Sequence, residues 1–87
     1  MEKTNPVLKQ AILEVVDNQI RDLNPPQTKA TYERLRKEGY SDAEARRLIG
    51  CVVSSEIFDV LKQQQPFNLD RFIRGLNRLP LLSWEEQ

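Results

Sequence analysis

The chain has 87 residues, of which 39% are apolar and 30% charged, and its 13 basic and 13 acidic side chains give a formal net charge of zero. This length suits one domain, and zero net charge removes the global attraction that drives nonspecific binding to nucleic acids or anionic membranes. With a single cysteine and no histidine, an internal disulfide, the usual zinc sites and all histidine-based catalysis are excluded.

No segment predicts membrane insertion or export. The apolar run at residues 79–82 contains a proline, and no apolar run approaches the ~20 residues that span a bilayer. Residues 1–6 are polar and the following segment is amphipathic, unlike a signal peptide. We therefore expect a cytoplasmic protein with one domain, residues 1–87, in which residues 80–87 form a C-terminal tail.

The first predicted helix covers about residues 6–23. Asn5 is a typical N-cap and Pro6 a typical first helical residue. Pro25 and Pro26 end the helix, because proline lacks the amide donor that its continuation requires. One helix face collects the apolar residues Leu8, Ala11, Ile12, Val15, Val16, Ile20 and Leu23.

The second predicted helix covers about residues 26–38. Its prolines are favourable at a helix start, where backbone N–H groups have no partner within the helix. Gly39 suits the left-handed conformation that often ends a helix. The apolar face is short and consists of Ala30, Tyr32 and Leu35.

The third predicted helix, about residues 42–64, has the clearest start. Ser41 and Glu44 match the S-x-x-E capping box, in which both side chains accept hydrogen bonds from free backbone N–H groups. Pro66 prevents the helix from continuing. Glu56 points into the centre of an apolar stripe formed by Ala45, Leu48, Ile49, Val52, Val53, Ile57 and Val60.

The fourth predicted helix covers about residues 69–79. Asn68 is its expected N-cap and Phe67 is placed to pack against Phe72, while Pro80 blocks continuation. Trp84 is expected to pin the tail to the domain. The predicted fold is therefore all-α, a compact four-helix single domain, and the buried face of its last helix consists of Leu69, Phe72, Ile73, Leu76 and Leu79.

Glu56 is the most informative residue, because a carboxylate inside an apolar stripe needs a hydrogen-bonding or charged partner. Gln19 lies at the middle of the apolar face of the first helix. We predict that Gln19 and Glu56 meet as a buried polar pair, with Arg47, Tyr32 or Tyr40 helping to neutralise the charge. A structural network is the first interpretation, and a ligand-binding carboxylate is the alternative.

Three arginines, Arg71, Arg74 and Arg78, share the face of the fourth helix opposite its apolar stripe. They are the candidate partner-binding residues, because such a basic ridge can bind an acidic or phosphate-bearing partner. The alternative is an ordinary solvated face of an amphipathic helix.

Two carboxylate pairs, Glu14 with Asp17 and Glu56 with Asp59, have the spacing that places both oxygens on one helix face. Some all-helical magnesium-dependent phosphohydrolases use such pairs. Only the second pair points inward, so a complete oxygen cage is missing. We expect no catalytic residue, no metal ligand and no cofactor, and we interpret Cys51 as a packing residue.

Residues 35–45 join two helices through a short glycine turn, as in a DNA-reading helix-turn-helix. Asp42 and Glu44 at the start of the would-be recognition helix repel phosphates, so nucleic-acid binding is not expected. Across about a dozen residues around Gly39, Tyr40 and Ser41 the segment also resembles ubiquitin-associated domains. We transfer no binding residues from that resemblance, because the third helix here is about twice as long.

A longer pattern resembles a family of small uncharacterised bacterial helical proteins. The resemblance implies a compact helical fold in a bacterial cytoplasm, and it carries no known activity or functional residues. Histidines that several such proteins have in the first helix are absent here. The pattern consists of Asn24-Pro25-Pro26, Thr31, Arg34-Leu35, Glu38-Gly39-Tyr40-Ser41, Glu44-Ala45, Ile49 and Glu56-Ile57.

These patterns predict a non-catalytic protein-interaction or structural module with an unknown protein partner. A second copy of the chain is one such partner, through helix 42–64, because Gly50, Ser54, Ile57 and Leu61 form a small-then-apolar row beside the main stripe. Phe58 adds a large apolar group nearby. A metal-dependent phosphohydrolase and a helix-turn-helix nucleic-acid binder are the alternatives.

Overall fold

The computed structural model describes residues 6–82. Within them it has four helices and no strand: α1 (Pro6–Asp22), α2 (Pro26–Lys37), α3 (Asp42–Gln63) and α4 (Leu69–Arg78). All four predicted helices are confirmed, and each ends one residue before its predicted end. The all-α four-helix domain predicted from the sequence is therefore confirmed. The predicted roles of Asn5 and Trp84 lie outside the described residues.

Helix α3 is central, because α1, α2 and α4 all pack against it. Helix α2 contacts both α1 and α4, which have little contact with each other and so flank α3 on different sides. The hydrophobic core collects residues from all four helices and the segment after α4, namely Val16, Leu35, Ala45, Leu48, Ile49, Val53, Phe72, Leu76, Leu79 and Leu82. Leu82, the third residue of the predicted tail, is buried and belongs to the core, whereas Pro80 and Leu81 are exposed. Between residues 6 and 82, the structure has no helix that is both long and apolar enough to cross a bilayer.

The helix caps follow from local sequence. Ser41 accepts a hydrogen bond from the Glu44 backbone N–H at 3.1 Å, and the Glu44 carboxylate accepts one from the Ser41 N–H at 3.1 Å, so the predicted capping box is confirmed. Asn68 caps α4 by accepting from the Arg71 N–H. The rings of Phe67 and Phe72 are 5.6 Å apart, as the hydrophobic staple predicts.

Gly39 ends α2 in the left-handed conformation, with φ of 103°. The Gly39 N–H donates to the carbonyl of Arg36, and the Tyr40 N–H to that of Leu35, both at 3.1 Å. These two bonds form the Schellman motif, which satisfies carbonyl groups that would otherwise lack a partner at the helix end.

We predict that Gly39→Ala lowers the free energy of unfolding by about 1 kcal/mol, because a Cβ atom strains a left-handed backbone. A Cβ placed on Gly39 would have no atom within 4 Å, so steric clash adds nothing. Urea denaturation measures the change. Gly39→Asn is the control and should lose less stability, since asparagine tolerates this conformation; equal losses for both variants would contradict the explanation.

The row of small and apolar residues beside the main stripe of α3 is only partly covered. Gly50 is buried against α1, where an added Cβ would lie 3.3 Å from Ile12. Farther along the helix, Ile57 is 40%, Phe58 62% and Leu61 72% exposed. The C-terminal end of α3 therefore presents apolar side chains to solvent.

Candidate functional site

A groove of about 340 Å³ lies between α3 and α4. The two helices approach closely at Gly75, where an added Cβ would lie 2.9 Å from Cγ1 of Val52. Helix α3 lines the groove with Cys51, Val52, Ser55, Glu56 and Asp59, whereas α4 and the segment after it contribute Arg71, Phe72, Arg74, Gly75, Arg78, Leu81 and Leu82.

Glu56 joins α3 to the start of α4. Its side chain is only 4% exposed, and both carboxylate oxygens accept hydrogen bonds. Arg71 donates from Nε to Oε1 at 2.9 Å and from Nη2 to Oε2 at 2.7 Å, and the Asn68 backbone N–H donates to Oε2 at 3.0 Å. The buried carboxylate is therefore fully paired, as its burial requires.

This arrangement completes the N-terminal cap of α4 from another helix. In a capping box, the residue three positions after the N-cap is Glu or Gln and accepts from the N-cap N–H. In α4 that position is Arg71, which cannot accept a hydrogen bond. Arg71 instead binds Glu56, and Glu56 accepts from the N–H of Asn68. The carboxylate also lies at the positive end of the helix dipole.

Arg71 lowers the pKa of Glu56 below its ordinary value. The hydrogen bonds from Arg71 are the largest cause of this lower pKa. Burial of the carboxyl group raises its pKa, while the hydrogen bond from the Asn68 N–H and the charge of Arg71 lower it further. A carboxyl group whose pKa is lower in the folded than in the unfolded chain stabilises the fold above its unfolded pKa. That contribution disappears as the pH falls through the lower folded pKa.

We therefore predict that acid destabilises the protein partly through Glu56. The free energy of unfolding of the wild type should fall as the pH drops below the unfolded glutamate pKa of about 4.3. Glu56→Gln should show a smaller fall, measured by urea denaturation at several pH values. The control Glu14→Gln replaces an exposed carboxylate and should keep the wild-type profile; identical profiles for all three proteins would contradict the prediction.

The predicted pairing of Gln19 with Glu56 is wrong. Gln19 accepts a hydrogen bond from the hydroxyl of Thr28 at 2.9 Å, so it ties α1 to α2, whereas Glu56 faces α4. The predicted neutralising residues are also wrong, since Arg71 takes that role and Tyr32 donates to Asp42 instead. The physical reason is that α1 and α4 flank α3 on different sides, so polar positions at the centres of two apolar stripes need not face each other.

The three arginines of the predicted basic ridge all line the groove, but they differ in their contacts. The side chain of Arg71 is 34% exposed and is bound to Glu56, with Asp59 3.9 Å away. Arg74 and Arg78 are exposed. The side chain of Arg74 has no hydrogen bond or ion pair with any other residue between 6 and 82, so its charge faces the groove and solvent.

The two carboxylate pairs do not converge. Asp17 accepts two hydrogen bonds from Arg46 at 2.8 and 2.6 Å, which tie α1 to α3, and Glu56 is occupied by Arg71. Among residues 6–82 there is no group of three or more Asp, Glu, Cys or His side chains that could hold a metal ion. The groove can therefore present the positive charge of Arg74 to a ligand, beside an apolar surface.

Arg34, whose contacts were not predicted, holds the other end of α4. Its guanidinium donates to the backbone carbonyls of Leu79 at 2.9 Å and Leu76 at 3.0 Å. Such bonds satisfy the last carbonyl groups of a helix and place a positive charge at the negative end of its dipole. The sequence offers no local signal for this contact, because Arg34 lies on α2, far from α4 along the chain.

Comparison with known proteins finds no match, whether with family models, curated proteins or solved structures.

Proposed function

We propose that this domain is a non-catalytic protein-interaction module and that the groove between α3 and α4 is its binding surface. The proposal rests on the position of Arg74. This exposed arginine lines the groove, and its side chain has no partner among residues 6–82. Apolar side chains lie beside it, including Leu81, which is 47% exposed. Apolar surface with a few polar or charged groups is typical of binding sites.

A metal-dependent phosphohydrolase is disfavoured by how the carboxylates are used. Such an enzyme needs several oxygen ligands directed at one point. Glu56 accepts three hydrogen bonds from α4 and its N-cap, and Asp17 is bound to Arg46. One carboxylate of each predicted pair, Asp17 and Glu56, thus serves a contact between helices.

Nucleic-acid binding is disfavoured by charge. The exposed start of α3 carries Asp42 and Glu44, which repel phosphates at the position where a helix-turn-helix protein contacts DNA. The whole chain has no net positive charge to compensate.

A groove-blocking variant tests the proposal. Ser55 lines the groove, whereas its neighbour Ser54 is exposed and lies outside it, so Ser55→Trp and Ser54→Trp form a matched pair. We expect immobilised wild type and Ser54→Trp to retain the same protein from an extract of the source cell, and Ser55→Trp to lose it. Circular dichroism checks that both variants fold. A partner retained equally by all three proteins would show that the groove is not the binding surface.

The exposed end of α3 supports a second copy of the chain as an alternative partner. Ile57, Phe58 and Leu61 are the apolar side chains available there. Three side chains of this size fall short of the roughly 800 Å² that each partner buries in a stable dimer. We therefore expect a monomer at micromolar concentration.

Sedimentation equilibrium on the wild type and on Leu61→Asp tests this expectation. Because Leu61 is 72% exposed, the substitution should change stability by no more than about 0.5 kcal/mol. A wild-type dimer that Leu61→Asp dissociates would instead identify α3 as a homodimer interface.

We also propose a cytoplasmic location, as the sequence predicts. With Cys51 as its single cysteine, the chain cannot form an internal disulfide, which is compatible with a reducing compartment. The resemblance to small bacterial helical proteins stays a prediction.

A further inference from the structure

We propose that the groove between α3 and α4 binds one aromatic side chain of a partner protein, a tryptophan or tyrosine. Its ring lies against the guanidinium of Arg74, and its N–H or O–H group donates a hydrogen bond to Asp59. This inference rests on the proposed function and names the side chain that the groove recognises. Three features of the groove carry it: its apolar lining, the side chain of Arg74 and the acceptor at Asp59.

The groove has the size and the apolar lining for one large side chain. Val52, Phe72, Leu81 and Leu82 provide apolar surface. The volume of about 340 Å³ is at the lower end of the ~300–1,000 Å³ range of ligand pockets, too small to enclose a partner helix. Aromatic side chains bury more area than other side chains, about 150–250 Å² each, so one of them makes the most of such a space.

Arg74 favours an aromatic ring over an aliphatic side chain. The arginine is exposed at the groove, and its side chain has no hydrogen bond or ion pair with the residues from 6 to 82. An aliphatic side chain that covered it would remove water from a charge without replacing the lost interaction. The negative face of an aromatic ring instead attracts a guanidinium group.

Asp59 favours a ring that carries a hydrogen-bond donor. Its carboxylate lies 3.9 Å from Nε of Arg71, which is too long for a hydrogen bond, and it accepts no hydrogen bond from any residue between 6 and 82. Arg71 itself is bound to Glu56. Asp59 can therefore accept a hydrogen bond from the indole N–H of tryptophan or the phenol O–H of tyrosine, whereas it repels an acidic side chain of a partner.

The two contacts lie about one helical turn apart. Arg71 marks the position of Asp59 along α4, since their side chains are 3.9 Å apart. Arg74 follows three residues later, about 4.5 Å farther along the axis at 1.5 Å per residue. A tryptophan or tyrosine side chain is long enough to cover Arg74 with its ring and to reach Asp59 with its polar group. Phenylalanine can make only the first of these contacts.

Selection from a displayed library of random dodecapeptides tests this inference on the full chain. We expect the selected peptides to share a tryptophan or tyrosine. Replacing that residue with leucine should weaken binding to the wild type at least about tenfold, because aromatic side chains of this kind dominate the affinity of interfaces.

A substitution of Arg74 tests the contact with the ring. Arg74→Met removes the charge and keeps much of the apolar length, so it should weaken the aromatic peptide about two- to fivefold and the leucine peptide less. The matched control is Lys37→Met, which removes an exposed charge outside the groove whose side chain has no partner among residues 6–82. Its affinity for both peptides should equal that of the wild type.

A substitution of Asp59 tests the hydrogen bond. Naphthylalanine in place of tryptophan, or phenylalanine in place of tyrosine, keeps an aromatic ring and lacks the donor. Asp59→Ala should weaken the selected peptide more than the peptide without the donor. If Arg74→Met weakens the aromatic and leucine peptides equally, and Asp59→Ala weakens the peptides with and without the donor equally, the proposed contacts are overturned.

The outcomes separate this inference from the proposed function. Peptides without an aromatic residue that bind the wild type and lose affinity for Ser55→Trp would overturn the aromatic side chain but leave the groove as the binding surface. Peptides that bind Ser55→Trp as tightly as the wild type, or a library that yields no binder, would count against both.

The chain itself has one tryptophan, Trp84, two residues after Leu82 and outside the described residues. The same library is therefore also selected against Trp84→Ala. Peptides that bind both proteins support a partner's aromatic side chain in the groove. Peptides that bind Trp84→Ala alone would assign the groove to the tryptophan of this chain and overturn the inference.

Discussion

Replacing Glu56 with alanine should lower the free energy of unfolding by about 2–3 kcal/mol, because it leaves a partly buried N–H group and an arginine without their partner. The Asn68 N–H and two Arg71 nitrogens donate to this carboxylate. Loss of one member of a fully buried ion pair costs more, about 3–5 kcal/mol, but the Arg71 side chain is 34% exposed and water can solvate part of its charge.

Urea denaturation measures this loss, and two variants serve as controls. Glu56→Gln should cost less than Glu56→Ala, since the amide keeps the shape and one oxygen acceptor. Asp59→Ala removes the carboxylate one turn later, which lies 3.9 Å from Arg71, and should cost no more than about 1 kcal/mol, as is usual for exposed pairs. If Glu56→Ala proves no more destabilising than Asp59→Ala, the cap on α4 does not hold the helix in place.

Replacing Arg34 with methionine should destabilise the protein by about 1–2 kcal/mol, because two backbone carbonyls at the end of α4 lose charged donors. These carbonyls belong to Leu76 and Leu79, which are both buried. Methionine keeps much of the apolar length of the side chain, so the loss reports mainly on the hydrogen bonds. The Arg34 side chain is 37% exposed, and water limits the effect.

The matched control for Arg34→Met is Lys37→Met on the same helix. Lys37 is exposed and its side chain has no hydrogen bond or ion pair with any residue from 6 to 82, so its replacement should change stability by no more than about 0.5 kcal/mol. Thermal unfolding followed by circular dichroism compares the two variants. Equal melting temperatures would mean that the contact of Arg34 with α4 contributes nothing.

The helices of this protein were predictable because their signals are local. Apolar periodicity, the Ser41–Glu44 capping box, the N-cap at Asn68 and the glycine at position 39 each act within a few residues. The burial of Glu56 was also predictable, since helical periodicity determines which way a side chain points relative to its own apolar stripe.

The partners of the polar side chains were not predictable, because they depend on how helices pack. Gln19 and Glu56 occupy equivalent positions on their helices, yet one faces α2 and the other faces α4. The bonds from Arg71 and Arg34 to other elements cross 15 and more residues of chain, and no periodic pattern encodes such distances.

Some features of the candidate site were likewise predictable from the sequence, and others depended on the packing of the helices. The sequence by itself determined that Arg71, Arg74 and Arg78 share one face of α4, because their spacing is helical. Only the tertiary structure decided that this face borders a groove, because the groove exists where α3 and α4 meet at Gly75. The same packing binds Arg71 to Glu56 and leaves Arg74 exposed beside apolar side chains, since only one of the arginines lies beside the buried carboxylate at the start of α4.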